Sequence, residues 1–206
     1  MGRYTGPSCK ICRRNGIKLF LKGEHCETAK CSLEKRNFPP GKRDVRLKKL
    51  SEYGRRLREK QKLRFFYGVG EKVIRSYFKK ADRQKGVTGH NLLSIFERRL
   101  DNVFCRSSLA RSRKEARQLI QHGHVLVNNK KVDIPSFITK EGDEITVRTR
   151  SQELFKPRYE SIKEKGIPSW VAFDSAKKIV KLAHLPARDE ILVPVEEHLV
   201  VEYYSR

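Results

Sequence analysis

Four of the five cysteines fall in one stretch, "CKICRRNGIKLFLKGEHCETAKC", with the spacing C-x2-C-x13-C-x4-C at Cys9, Cys12, Cys26 and Cys31. Thiols so grouped could make a disulfide staple, a redox or nucleophilic centre, or a metal knot. Two cysteines with two residues between them reach one tetrahedral ion from a single tight turn, and a second close pair completes the shell. The 13-residue interval is shorter than the ~15–20 usual for four-cysteine sites, and the x4 gap is slightly wide. A redox C-x-x-C needs a strand before it and a helix after it in a thioredoxin-like unit. The sequence offers no such unit, and the second pair would have no role. A cysteine nucleophile needs a base, and the nearest is His25, beside Cys26. His25 could also substitute as a ligand, although four thiolates already fill a tetrahedron. The expectation is one structural Zn2+ on Cys9, Cys12, Cys26 and Cys31; a lost metal and an iron–sulfur cluster remain the alternatives. Such an ion would fold a segment too short to build its own core. It would hold Arg13, Arg14, Lys18, Lys22 and Lys30 on a fixed surface.

The partner of that surface is indicated by charge. The 206 residues carry 47 Lys and Arg against 24 Asp and Glu, a formal charge of +23. Residues 1–64 hold +14 of it, and residues 151–206 are neutral. An excess of this size calls for a polyanion, and phosphate backbone releases counterions as it is neutralised. No stretch approaches the ~20 consecutive apolar residues of a membrane helix, and no basic amphipathic helix has a strong Trp, Phe or Leu face. The start "MGRYTGPSCK" has no apolar run of a secretory signal. A reducing cytoplasm is therefore expected, which weakens the disulfide staple.

The elements that must position these groups follow from periodicity. Pro39, Pro40 and Gly41 end the cysteine segment. A helix is predicted after them, with Asp44 as N-cap and Leu47, Leu50, Tyr53 or Gly54, and Leu57 on its apolar stripe. A second helix places Val73, Ile74, Tyr77, Phe78 and Ala81 on one face and stops at Gly86. A third, "HNLLSIFERRLDNVFCRS", turns Leu92, Leu93, Phe96, Leu100, Val103 and Phe104 inward, with Cys105 as a small core residue. Ser112 followed by Glu115 is a capping box that opens a short helix closed by Gly123. Strands are expected at about 124–128 and 131–134 around a turn at Asn129 and Lys130, and again at "DEITVRT". "PSWVAFDSAKKIVKL" reads as strand–turn–strand anchored by Trp170, and "DEILVPVEEHLVVEYYSR" as a strand and a docked end.

No catalytic constellation is present: no phosphate-loop motif, no G-x-S-x-G and no H-E-x-x-H. Gly68 and Gly70 read as a turn between helices. His122 and His124 flank Gly123 at a helix end, where they can interact with the last carbonyls. The start of the Ser112 helix is different. Arg111, Arg113, Lys114 and Arg117 ring a helix N-terminus whose free N–H groups attract anions, a phosphate clamp to which 128–131 can add.

The segment "RRLDNVFCRSSLARSRKEARQLIQHGHVLVNNKKVDIPS" resembles the small RNA-binding module named after small-subunit ribosomal protein four. Arg99-Leu100-Asp101, Ser112-Arg113, Ala116-Arg117, Gly123-His124, Val127-Asn128 and Pro135-Ser136 carry the likeness. "PPGKRDVRLKKLSEYGRRLREKQKLRFFYGVGEKVIRSYFKKA", "IPSWVAFD" and "VEEHLVVEYYSR" extend it, in order, to essentially the whole chain. The chain thus resembles the bacterial family of small-subunit ribosomal protein four, and Cys9, Cys12, Cys26 and Cys31 resemble its zinc-binding form. The resemblance implies binding of a junction in small-subunit ribosomal RNA early in assembly. It also implies contact with ribosomal protein five, where decoding accuracy is influenced, and a place beside messenger RNA where it enters the subunit. It puts RNA binding on the basic residues of 42–64 and 111–117: Lys42, Arg43, Arg46, Lys48, Lys49, Arg55, Arg56, Arg58, Lys62, Arg64, Arg111, Ser112, Arg113, Lys114 and Arg117.

The expected architecture is α+β. A zinc knot over 1–43 precedes a helical domain over 44–90, which 151–206 closes with C-terminal strands. A helix–helix–sheet RNA-binding module over 91–150 is inserted between them. An RNA-modifying enzyme with the same module would need a catalytic domain, for which 151–206 is too short. A zinc-bearing DNA regulator would need a recognition helix and a dimer interface. No enzyme activity, membrane contact or small-molecule substrate is expected, and the bacterial ribosome in the cytoplasm is the expected location.

Overall fold

The computed structural model describes residues 4–41 and 49–205. In order these form α1 (Ser8–Asn15), α2 (Ser32–Lys35), α3 (Glu52–Phe66), α4 (Glu71–Asp82), α5 (Thr88–Glu97), α6 (Leu100–Arg106) and α7 (Arg113–Gln121). Strands β1 (Val125–Val127), β2 (Lys130–Lys131) and β3 (Glu144–Val147) follow, then α8 (Gln152–Lys165), β4 (Val171–Asp174), β5 (Ile179–Leu182) and α9 (Glu197–Tyr204). The chain divides into two compact units after Leu92, and Val193 onward returns to the first.

In the first unit α3 packs on α9, and α4 also meets α9. Ser51 caps α3 by accepting the Gly54 N–H at 3.2 Å. The expected N-cap Asp44 and stripe residue Leu47 lie outside the described residues. The buried face of α3 is also not the predicted one: Leu50 and Tyr53 are exposed, while Leu63 and Phe66 are buried. Glu59 and Lys60 are buried beside them. The helix therefore turns charged residues inward, each with a partner. Lys60 Nζ donates to Glu71 Oε2 at 2.9 Å, and Glu59 pairs with Lys62 and accepts the Glu196 N–H at 3.2 Å. On α4, Ile74, Tyr77 and Ala81 are buried as expected. The segment read as a strand and a docked end contains no strand: its docked end is helix α9, which buries Val200 and packs on α3 and α4.

In the second unit one antiparallel sheet runs β2-β1-β3-β5-β4. Its register pairs Val127 with Lys130, Val127 with Ile145, Ile145 with Val180 and Phe173 with Val180. The tail strands thus extend the module's own sheet, which corrects the expectation that all of 151–206 closes the helical domain. Only the final segment, from Val193, belongs to the first unit. Inward residues of α6, α7 and the strands form one core with Phe155, Tyr159 and Ile162 of α8 and with Trp170, 1% exposed. Helix α8 is absent from the sequence reading. Pro157 argues against a helix interior, yet α8 continues through it with the proline on the exposed face.

The single helix predicted across 90–107 is two helices. Arg99 is extended (φ −65°, ψ 137°), and the 135–139 segment supplies the backbone partners that a continuous helix would have used. Leu100 N–H donates to the Phe137 carbonyl at 2.8 Å, Asp101 N–H to that of Pro135 at 3.1 Å, and Thr139 N–H to that of Arg98 at 2.9 Å. The predicted inward residues are buried on both sides of the break. The hairpin turn is Asn128-Asn129, one residue earlier than expected. Both residues are left-handed (φ 49° and 62°), as a two-residue turn matching strand twist requires.

Candidate nucleic-acid interface

The clamp forms at the start of α7. Ser112 is its N-cap and accepts the Glu115 N–H at 3.3 Å. The reciprocal arm of the capping box is shifted by one residue: Glu115 Oε2 accepts the Arg111 N–H at 2.7 Å. Its Oε1 accepts from Arg158 Nη2 at 2.8 Å, and Arg158 Nη1 also donates to the Leu109 carbonyl at 2.8 Å. Arg158 of α8 thereby ties the loop before α7 to its first turn, a role no motif in the sequence signalled.

The arginines of the clamp are braced from α6. Arg113 Nε donates to Asn102 Oδ1 at 2.7 Å, and Arg117 Nη1 lies 3.7 Å from Asp101 Oδ2. Asn102 in turn donates to Glu97 Oε2 at 2.6 Å, and Arg106 holds the same carboxylate at 3.0 Å through two nitrogens. Asp101 takes a bidentate pair from Arg99, at 3.0 and 2.6 Å. Glu97, Arg99, Asp101 and Asn102 are all buried. In a low-dielectric interior this network fixes its geometry, because each charge left alone would be costly. Arg111 and Lys114 project outward and are exposed. A helix N-terminus with two braced and two outward cations is built to receive phosphate oxygens.

The basic residues of the first unit divide similarly. Arg13 is a strap: Nε donates to the Phe38 carbonyl at 3.0 Å, and the guanidinium stacks 4.7 Å from the Phe38 ring centre. Arg14, Lys22, Lys30, Lys49 and Arg55 are exposed, and Arg58 is half-buried. Arg56 pairs with Glu202 at 2.6 Å and Glu52 at 3.4 Å, Lys62 with Glu59, Lys18 with Glu34, and Arg64 lies 5.7 Å from the Phe65 ring centre. Lys42, Arg43, Arg46 and Lys48 lie outside the described residues. The structure thus separates cations that hold this protein together from cations turned to solvent, a distinction charge counting cannot make.

All five cysteines are free thiols in the structure. Cys9 and Cys12 sit three apart on α1, not in a tight turn, and Cys12, Cys26 and Cys31 are buried. Burial raises the Cys12 thiol pKa first. The charges of Cys26, Cys9 and Cys31 raise it further, against the Leu19 N–H bonded to the sulfur. Cys26 is raised likewise by burial and by Cys31 and Cys9, against the Lys22 N–H. The thiols are therefore close enough to act on one another. Among the described residues, however, no group of three or more His, Cys, Asp or Glu side chains is arranged to hold a metal ion. The knot expected over 1–43 is gathered without being closed into a ligand shell. The donor chemistry, four thiols with two backbone N–H groups on sulfur, suits zinc. His25 is exposed. Cys105 packs against the core of the second unit, and burial raises its thiol pKa.

Compared with known families, residues 3–97 match the ribosomal protein S4/S9 N-terminal domain, and residues 98–145 match the S4 domain. Whole-length relatives agree with this. The small ribosomal subunit protein uS4 of Desulforamulus reducens is 52% identical, and those of Pelotomaculum thermopropionicum and Halothermothrix orenii are each 50% identical, over all of both chains. This chain belongs to the uS4 family. The four clamp cations and their direct braces Asp101 and Asn102 lie inside the part that matches the S4 domain, and uS4 proteins are structural proteins, not enzymes. No helix of the described residues is long and apolar enough to cross a membrane.

Proposed function

We propose that this chain is a structural constituent of the small ribosomal subunit that binds its ribosomal RNA and helps nucleate assembly. The observation that carries the reading is the start of α7. A capped helix N-terminus there is ringed by Arg111, Arg113, Lys114 and Arg117, two of them braced by buried Asn102 and Asp101. The clamp binds phosphate as a rigid fork, so little side-chain entropy is lost on contact. RNA of this kind is read through shape and backbone more than through base edges. The exposed cations Arg14, Lys22, Lys49 and Arg55 supply the non-specific part of the affinity.

Three finer statements belong to the same proposal and are supported by family likeness. The chain abuts ribosomal protein five and influences decoding accuracy with it. It stands beside messenger RNA where messenger enters the subunit, within the cytoplasmic ribosome. It holds one structural zinc on Cys9, Cys12, Cys26 and Cys31. Zinc there would supply folding energy by binding the thiolates, and the chain's own part is to bury them and direct the Leu19 and Lys22 N–H groups at two sulfurs.

Sedimenting a cell lysate through high salt tests the function. The chain travels with small subunits on this account; a chain left free in the supernatant rules it out.

A further inference from the structure

The other end of α7 also collects charge. Gly123 turns the chain left-handed there (φ 72°), and groups from four places meet around it. His122 caps α7, and His124 leads into β1 with its ring 6.1 Å from that of His122. Arg148, just after β3, donates from Nη1 to the Gly123 carbonyl at 3.5 Å. Lys131 of β2 lies over the glycine so closely that a Cβ at 123 would stand 2.6 Å from its Cε. Arg150 follows in the turn before α8, and its charge and that of Arg148 act on His124.

The acidic side of this corner is thin. Asp133 lies 3.8 Å from Lys131, and both are about half exposed. His124 Nδ1 meets the Ser151 hydroxyl at 2.8 Å. Among the described residues no carboxylate is paired with His122, His124, Arg148 or Arg150. Burial lowers the His124 pKa first, and His122, Arg150 and Arg148 lower it further. Like charges gathered without counter-charge repel one another until an anion completes them. The negative end of α7 does not cancel the effect, because its last carbonyls are taken: Gln118 by His122 N–H, Leu119 by His124 N–H and Ile120 by Gly123 N–H.

We propose that this corner, formed by His122, His124, Lys131, Arg148 and Arg150, is a second phosphate site, filled by a backbone phosphate of the RNA held at the clamp. The proposal rests on the RNA-binding reading. α7 has nine residues, so the two ends are ~13 Å apart and engage different phosphates. The helix becomes a two-point ruler along the RNA surface.

The test uses the full chain and small-subunit ribosomal RNA over a series of salt concentrations. Lys131→Gln and Arg150→Gln change exposed side chains, so the fold persists, and Trp170 fluorescence checks it. The double variant binds about tenfold more weakly, and its plot of log affinity against log salt is shallower by about 1. In the wild-type complex the imidazole signal of His124 titrates at higher pH than in the free chain. Wild-type binding with unchanged affinity and slope in the double variant overturns the second site and leaves the clamp standing. Inorganic phosphate moving the His124 imidazole signal as far as RNA does overturns the assignment to RNA. A wild-type chain that does not bind the RNA overturns both readings.

Discussion

Replacing Asp101 with Ala removes the carboxylate that pairs with Arg99 inside the second unit. The side chains are 5% and 2% exposed, and the bidentate contacts are 2.6 and 3.0 Å. The variant leaves a buried guanidinium without its carboxylate, a loss of about 3–5 kcal/mol. The lost Arg117 contact adds little, since that pair is 3.7 Å apart and Arg117 is 20% exposed. With a urea dependence of about 2 kcal/mol per molar, the midpoint falls by roughly 2 M. Trp170 reports the transition locally, because it is the only tryptophan and lies in the core of this unit. Arg99→Met combined with Asp101→Leu replaces the pair by apolar groups and restores most of the stability. A loss below about 1 kcal/mol in Asp101→Ala, or a double variant whose loss equals the sum of the single losses, would refute the reasoning.

Three shorter predictions accompany it. Asn128→Val forces a β-branched residue to φ 49° and removes the bonds to Asp143 and the Glu144 N–H, so stability falls by about 2 kcal/mol; urea unfolding without change contradicts the turn assignment. Burial would raise the Glu71 carboxyl pKa, but hydrogen bonds from Tyr204 and Lys60 hold it below the usual range. Its stabilisation is therefore full above the ordinary carboxylate pKa and is lost as pH falls through the lower folded value. Melting temperatures from pH 7 to 3 drop less steeply in Tyr204→Phe, and an identical slope contradicts the linkage. Chelation unfolds residues 1–40 and spares the rest in amide exchange; no change on metal removal sinks the zinc proposal.

What was legible in the sequence depended on how local the cause is. The Ser112 cap and the charge around it were visible because a helix start depends on residues three or four apart. The break between α5 and α6 was not, since it is made by the Phe137, Pro135 and Thr139 backbone, more than thirty residues away. Inward residues such as Phe96 and Phe104 were right even where the helix was wrongly continuous, because burial follows apolar type on either side of a break. The strand expected ahead of the docked end does not form, and that end is helix α9, for the converse reason: a long-range packing surface overrides a weak local preference. The same limit applied to the cations. Sequence showed +14 over residues 1–64 but could not tell Arg13 and Arg56, spent on internal carbonyls and carboxylates, from Arg14 and Arg55 in solvent. Asn102, Glu97 and Arg158, which position the clamp, have no sequence signature at all.

The central claim is that the N-terminus of α7 holds ribosomal RNA. Arg111→Glu with Lys114→Glu tests it most directly, because both side chains are exposed, unlike those of Arg113 and Arg117. Titrated against small-subunit ribosomal RNA over a range of salt, this variant binds more weakly at every concentration, with a slope shallower by about 2. Affinity and slope equal to those of the wild-type chain would contradict the account.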